Sequence, residues 1–187
     1  MIDAAAPSLV AATAIAATPV SPDVAAGIRH TSMALPTPVV SITCQFTVNP
    51  GQSQSFIVCT HMVAFPANTI CDPATSGYGS SYWLQGCTKL TTPIVITATT
   101  WIDSLGRAQI DFANDIRFYP NASGQLPAVY LRDATAALSS WSRIDYGNVN
   151  GCVNEAAADA VLVTKRDPVT GYLFRLVRHF SGYNVLA

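Results

Sequence analysis

The chain has 187 residues, of which 50% are hydrophobic and only 11% are charged, and its formal net charge is −1. A disordered chain combines low hydrophobicity with high net charge, so this composition excludes disorder of the whole chain and predicts one folded domain. An ordinary soluble domain carries about 25% charged residues, which keep copies apart in solution. The scarcity of charge therefore favours burial against partner subunits.

Residues 1–38 form an apolar segment that we predict to be an extended arm. Recurring prolines, including Pro36 and Pro38, exclude a long helix there. An apolar arm left in water is unfavourable, so we expect it to contact the body or a neighbouring subunit, with Pro36 and Pro38 among the subunit contacts. We find no apolar run of about 18 residues and no signal-peptide pattern, so we expect no membrane span.

From residue 39 the hydrophobic period changes to two, which is typical of strands with one buried face. A helix is predicted to begin at Asp133, and hairpin turns are predicted to begin at Asp103 and Asp167. Eight or nine short strands without a βαβ rhythm predict one antiparallel β-sandwich over residues 39–187. The predicted strands cover residues 39–48, 55–64, 94–101, 109–119, 127–131, 142–146, 161–165, 172–180 and 183–186.

The five cysteines are odd in number and lack CxxC pairs, which favours packed, reduced thiols over a disulfide scaffold. Cys71 and Cys87 flank a loop and are placed to pair if the compartment is oxidising. The histidines, His30, His61 and His179, lack metal-ligand spacing. Nucleotide-binding and esterase motifs are missing from the sequence, so we predict no metal and no cofactor.

Residues 65–90 are rich in proline, glycine and aromatic residues and are predicted to form a long contact loop. Aromatic side chains are enriched at the buried centres of interfaces, so we predict that Tyr78, Tyr82 and Trp83 contact neighbouring subunits. The same rings suit stacking on sugars. A carbohydrate-binding or adhesin-like sandwich is therefore an open alternative.

Basic residues cluster on the last predicted hairpin, where Lys165, Arg166, Arg175 and Arg178 face a single opposing charge, Asp167. This modest patch is a candidate for weak contact with the phosphates of a genome. A solvated hairpin face has the same composition, so the two interpretations stay open.

The sequence from Phe56 to His61 resembles the strand that carries the catalytic histidine in the chymotrypsin-like cysteine proteases of positive-strand RNA viruses. Asp103 and Cys152 follow in the order of that family. The resemblance implies a Cys152 nucleophile activated by His61 and oriented by Asp103. The family places a glycine after its nucleophile, where this chain has Val153, and that glycine belongs to the oxyanion hole. We therefore treat the protease as an alternative to a non-enzymatic protein.

The apolar arm, the short strands and the decorated loops together resemble small viral coat or virion proteins of the jelly-roll type. The resemblance covers residues 39–187 and implies a self-assembling subunit whose partners are copies of itself and other coat subunits. It further implies assembly in the host cytoplasm and residence in the virion. The charge pattern agrees, because Asp72 is the one acidic or basic residue between Arg29 and Lys89, histidines aside.

Overall fold

The structure is a computed structural model. It describes residues 9–11, 13–20, 39–102, 107–132, 143–148, 151–180 and 182–186. These residues form thirteen strands and two single 3-10 turns, at Glu155–Ala157 and Ala160–Leu162. The strands are β1 (Leu9–Ala11), β2 (Thr13–Val20), β3 (Val39–Val48), β4 (Gln54–Val58), β5 (His61–Phe65), β6 (Ile94–Ile102), β7 (Ala108–Phe112), β8 (Ala128–Leu131), β9 (Arg143–Asn148), β10 (Gly151–Val153), β11 (Lys165–Arg166), β12 (Leu173–Leu176) and β13 (Gly182–Leu186).

The strands form a six-stranded sheet, in the order β1-β4-β5-β8-β12-β11, and a seven-stranded sheet, in the order β10-β9-β13-β7-β6-β3-β2. Neighbouring strands are antiparallel, except that β1 runs parallel to β4. The two sheets confirm the prediction of an all-β protein. Thirteen strands do not confirm the predicted count, and the strand order does not by itself identify a jelly roll. The helix predicted at Asp133 lies outside the described residues.

The hydrophobic core lies between the two sheets and is built by alternation along the strands. In β3, Phe46 and Val48 are buried whereas the intervening Thr47 is exposed, as the period of two predicts. Phe46 packs against Phe56 of the opposite sheet, with ring centroids 4.8 Å apart. Phe65 then stands edge-on to both Phe118 and Phe180, the geometry that aromatic quadrupoles favour.

The prediction of one strand over residues 55–64 is wrong, because this stretch is the β4–β5 hairpin. Cys59 and Thr60 form its two-residue turn, and Cys59 adopts a φ of 58°. Tight hairpins need positive φ at such positions, and glycine or asparagine normally supplies it. Neither Cys59 nor Thr60 is a typical turn residue, so the sequence alone does not predict that the chain reverses direction here. The predicted hairpin around Asp103 is confirmed by the antiparallel pairing of β6 and β7. A hairpin also lies around Asp167, but the strand predicted over residues 161–165 is wrong, because Ala160–Leu162 forms a 3-10 turn and the strand paired with β12 is Lys165–Arg166.

Four of the five cysteines form disulfides, so the expectation of mostly reduced thiols is wrong. Cys44 on β3 bonds to Cys59 in the β4–β5 turn and thereby joins the two sheets. Cys71 bonds to Cys87, the pairing that the sequence allowed for an oxidising compartment. Covalent links at these two places constrain the unfolded chain and stabilise the fold.

Two strands lie within the predicted N-terminal arm. β1 extends the six-stranded sheet beside β4, and β2 extends the seven-stranded sheet beside β3. Pro36 and Pro38 lie outside the described residues, so their role as subunit contacts and the arm boundary at residue 38 stay predictions. Within the described ranges, no helix is long and apolar enough to cross a membrane.

Candidate functional site

The contact loop predicted over residues 65–90 lies in the connection between β5 and β6. From here on, contact loop denotes this whole connection, residues 66–93. The Cys71–Cys87 disulfide closes it, and Arg117, which is only 4% exposed, holds its tip. Arg117 Nη1 donates to the carbonyl oxygens of Tyr82 (2.7 Å) and Gln85 (2.5 Å), and Nη2 donates to that of Gly86 (3.4 Å). Burial lowers the pKa of Arg117. A buried guanidinium therefore fixes the backbone that presents the loop's aromatic side chains.

Of the three aromatic side chains predicted to contact other subunits, two pack against this chain itself. The Trp83 ring stacks on the His179 ring, with centroids 3.9 Å apart. Tyr78 donates its hydroxyl to the carbonyl oxygen of Phe180 and lies 3.5 Å from His179 Nδ1. Tyr82 alone is well exposed, at 41%. Leu84 in the same loop is 66% exposed, so Tyr82 and Leu84 form the apolar tip of the contact loop.

A buried ionic cluster lies beneath Trp83. Arg175, 0% exposed, donates from Nη2 to Glu155 Oε2 over 2.9 Å, and from Nη1 to the carbonyl oxygen of Ile144 over 3.0 Å. His179 Nε2 lies 2.8 Å from Glu155 Oε1. Tyr183 is buried beside this cluster, and burial, with the neighbouring Glu155 carboxylate, raises its pKa well above the usual value. Each charge has a partner, which is the condition for burying it.

The structure corrects the predicted basic patch at Arg175, because a buried guanidinium paired with Glu155 is not on a surface. Arg178 is largely buried as well and pairs with Asp159 over 2.9 Å. Lys165 and Arg166 are exposed on β11, at the edge of the six-stranded sheet. Contact with a genome through these two residues stays a prediction.

Of the three residues of the protease hypothesis, the structure describes His61 on β5 and places Cys152 on β10, strands that belong to different sheets. His61 is 2% exposed on β5, and its Nδ1 accepts a hydrogen bond from the backbone N–H of Arg132 over 3.2 Å. Cys152 belongs to β10, at an edge of the other sheet. Asp103 lies outside the described residues. The assignment of His61, Asp103 and Cys152 as catalytic residues stays a prediction.

β2 is the last strand at one edge of the seven-stranded sheet. β2 is eight residues long, carries no charged residue and pairs, among the described strands, with β3 alone. An edge strand presents unpaired N–H and C=O groups, and monomeric proteins usually block such an edge with charges, prolines or bulges. Pro19, near one end, and a register shift between Ala14 and Ala16 are the blocking features of β2.

Next to this edge, the paired polar side chains of β3 and β6 carry no charge, and the nearest charged side chain in the same row is Asp111 of β7, opposite Thr99. The hydroxyls of Thr43 and Thr99 lie 3.1 Å apart across β3 and β6, and Gln45 Nε2 donates to Thr97 Oγ1 over 3.2 Å. Val95, in the same row, is 48% exposed. A contact that covers only β2, β3 and β6 therefore desolvates no charged side chain of this row, which favours an uncharged partner surface.

No group of three or more histidine, cysteine, aspartate or glutamate side chains that could hold a metal ion occurs among the residues described. Comparisons with protein-family models, curated proteins and solved structures found no match to this chain. Function is therefore inferred from the residues themselves.

Arg117, Glu155 and the Cys44–Cys59 disulfide were not singled out from the sequence. Glu155 and Arg117 carry no local motif, because their partners come from distant parts of the chain. Arg175 does carry a signal. It shares the alternation of Leu173 and Val177, both buried, and this parity places it on the inward side of the strand region.

Proposed function

We propose that this chain is a self-assembling structural subunit of a viral coat or virion, with jelly-roll connectivity, and that it is not an enzyme. One observation carries the proposal: β2 is a long, uncharged edge strand, and only one of its two sides is paired within the described chain. Strand addition at such an edge supplies a continuous row of backbone hydrogen bonds to a second copy.

The surface beside the edge strand supports the same proposal. The row formed by Thr43, Thr99, Gln45 and Thr97 is uncharged, and Val95 of the same row is 48% exposed. A symmetric shell buries large areas of each subunit, and interface centres are depleted in charged residues. The low overall charge of 11% then reflects surface that is covered in the particle.

The disulfides refine the proposed location. Thiols stay reduced in the cytoplasm, whereas disulfides persist on virions and in extracellular surroundings. We therefore place assembly in the host cytoplasm and closure of Cys44–Cys59 and Cys71–Cys87 in the mature particle. Partners are copies of this chain and other coat subunits, with weak genome contact through Lys165 and Arg166.

The test compares three forms of the full-length protein by sedimentation velocity and electron microscopy. Thr13→Lys with Ala16→Lys adds two charges to β2, at the register partners of Gln45 and Thr43. Val161→Lys with Val169→Lys adds the same charge at exposed positions far from β2 in the sequence. We expect the unmodified and control proteins to form particles or large oligomers and the β2 variant to sediment as a monomer.

A monomeric wild-type protein, or a β2 variant that assembles like its control, would contradict the proposal. The protease and carbohydrate alternatives have no comparable support, because His61 is buried and Trp83 is stacked on His179.

A further inference from the structure

The four strands that end the two sheets differ in length. Among the described strands, β1 and β10 end their sheets with three residues each, β11 ends the six-stranded sheet with two, and β2 ends the seven-stranded sheet with eight. Strand addition gains backbone hydrogen bonds in proportion to the length that is paired. Of these four edges, another β2 is the one that matches β2 along its whole length.

Charge separates β2 from β11 in the same direction. β11 consists of Lys165 and Arg166, both exposed, whereas β2 has no charged residue. Pairing β2 with β11 of a second copy would bring two cationic side chains against an uncharged strand and remove part of their hydration. Two β2 strands bring no charge into contact with each other, so their pairing has no such cost.

The three-residue edges would leave most of β2 open. Pairing with β10, Gly151–Val153, leaves five of the eight β2 residues without a partner strand. A contact between β2 and β10 is also head-to-tail, because it joins opposite edges of the same sheet, and such a contact repeats from copy to copy. A contact between two β2 strands uses the same surface on both copies and closes after one step.

The direction of the pairing follows from symmetry. When a sheet continues into a second copy and keeps its core on the same side, the two copies are related by a twofold axis perpendicular to the sheet, which reverses the strand direction. The two β2 strands then run antiparallel, as β2 and β3 do. This pairing places the end of β2 that contains Pro19 opposite the end that contains the register shift between Ala14 and Ala16, so the irregular places of the two strands coincide.

We propose that β2 pairs antiparallel with β2 of a second copy around a twofold axis, so that the assembling unit is a symmetric dimer in which two seven-stranded sheets are continuous. This inference rests on the proposed function, because it names the partner of the same edge strand. Residues near the axis meet their own copies. Residues advance about 3.4 Å along an antiparallel strand, so the two copies of Thr13, at the end of β2, lie about 20 Å apart.

The test adds one cysteine to β2 of the full-length protein and measures disulfide-linked dimers after mild oxidation, on non-reducing gels. A disulfide needs Cα atoms within about 7 Å of each other, which positions near the axis satisfy and positions at the strand ends do not. Ala16→Cys, Ala17→Cys and Thr18→Cys cover the middle of the strand, and Thr13→Cys is the matched control at its end. We expect at least one central variant to form about tenfold more symmetric dimer than the control.

Cys152 reports the competing arrangement. It belongs to neither disulfide and lies on β10, at the opposite edge of the same sheet. Mass spectrometry of the linked peptides distinguishes a bond between two β2 cysteines from a bond between β2 and Cys152. Cys152→Ser, combined with the central variant that links best, should leave the yield of symmetric dimer unchanged.

Bonds to Cys152 in place of symmetric ones, or equal yields of dimer from Thr13→Cys and the central variants, would overturn the inference. Particles in sedimentation velocity from variants that form no symmetric bond at any central position would also overturn it, while leaving the proposed function intact. An unmodified protein that sediments as a monomer would contradict the proposed function, and this inference with it.

Discussion

The indole ring of Trp83 stacks on the imidazole ring of His179, with their planes inclined by only 15°. His179 also contacts Glu155, which in turn pairs with Arg175 on β12. A side chain of the contact loop therefore rests directly on the buried ionic cluster. This stacked pair and the hydroxyl of Tyr78, 3.5 Å from His179 Nδ1, join the loop to the cluster.

Trp83→Ala is expected to lower the free energy of unfolding by about 3 kcal/mol, because it removes the stacked ring and leaves a cavity above His179. Tyr82→Ala is the matched control, since Tyr82 neighbours Trp83 but is largely exposed, and its effect should stay within about 1 kcal/mol. Urea denaturation followed by circular dichroism measures both. Equal losses for the two variants would show that Trp83 does not support the loop.

Arg175→Met should be strongly destabilising, by about 3–5 kcal/mol, because it leaves the Glu155 carboxylate buried without its cationic partner. Adding Glu155→Gln should recover part of the loss, since no net charge then remains buried at that pair. Lys165→Met, on exposed β11, should change stability by no more than about 0.5 kcal/mol. An Arg175 variant as stable as the Lys165 variant would place Arg175 at the surface after all.

Removal of the Cys44–Cys59 disulfide by double alanine substitution is expected to cost about 3 kcal/mol, the chain-entropy value for a closed loop of this size. The Cys71–Cys87 double variant should lose a similar amount, because its sequence separation of 16 is nearly the same. Calorimetry with and without reductant checks both. The variant lacking all four cysteines serves as the control, since reductant should leave its melting temperature unchanged.

Lys89 should give the protein a measurable pH dependence. Burial, and then the charge of Arg117, lower its pKa from 10.5 to about 8. Between these two values the unfolded chain binds more protons at this site than the folded chain, so its contribution to stability rises with pH across that window. Below pH 8 the charged form opposes folding.

The chain has two lysines, Lys89 and Lys165, so ¹³Cε labelling of lysine yields two signals. We expect the signal that vanishes in Lys89→Met to titrate near pH 8. The Lys89 variant should also lose the stability gain between pH 8 and 10. A Lys89 signal that titrates near its ordinary value of 10.5 would contradict the burial of Lys89.

The sequence predicted the features that depend on local pattern. Strand β3 and the β6–β7 hairpin follow from alternation and from a turn-forming stretch after Asp103. The sequence does not predict the β4–β5 turn, because Cys59 has a positive φ although cysteine is not a residue that usually forms turns. The charge of Arg175 predicts an exposed side chain, whereas its alternation with Leu173 and Val177 predicts a buried one. The structure shows that Arg175 is buried.

The remainder of the candidate site depends on contacts between residues far apart in the chain. Arg117 reaches the tip of the contact loop over 31 residues or more, and Glu155 reaches Arg175 across 20. Periodicity carries no information about which distant carbonyl or carboxylate will meet a given guanidinium. The pattern of a single sequence therefore predicts strands, but it does not predict which residues pair with the buried charges.

The placement of β1 and β2 has a consequence for the order of folding. These first two strands lie in different sheets and pair with β4 and β3, both of which are synthesised later. Because β1 and β2 precede their partners in the chain, neither can pair before a later segment has been synthesised, and we expect both to dock at the outer edges after β3 and β4 have formed. Segments that dock late at sheet edges are the ones most readily exchanged between neighbouring copies, so a strand-swapped dimer is the expected by-product of refolding at high protein concentration.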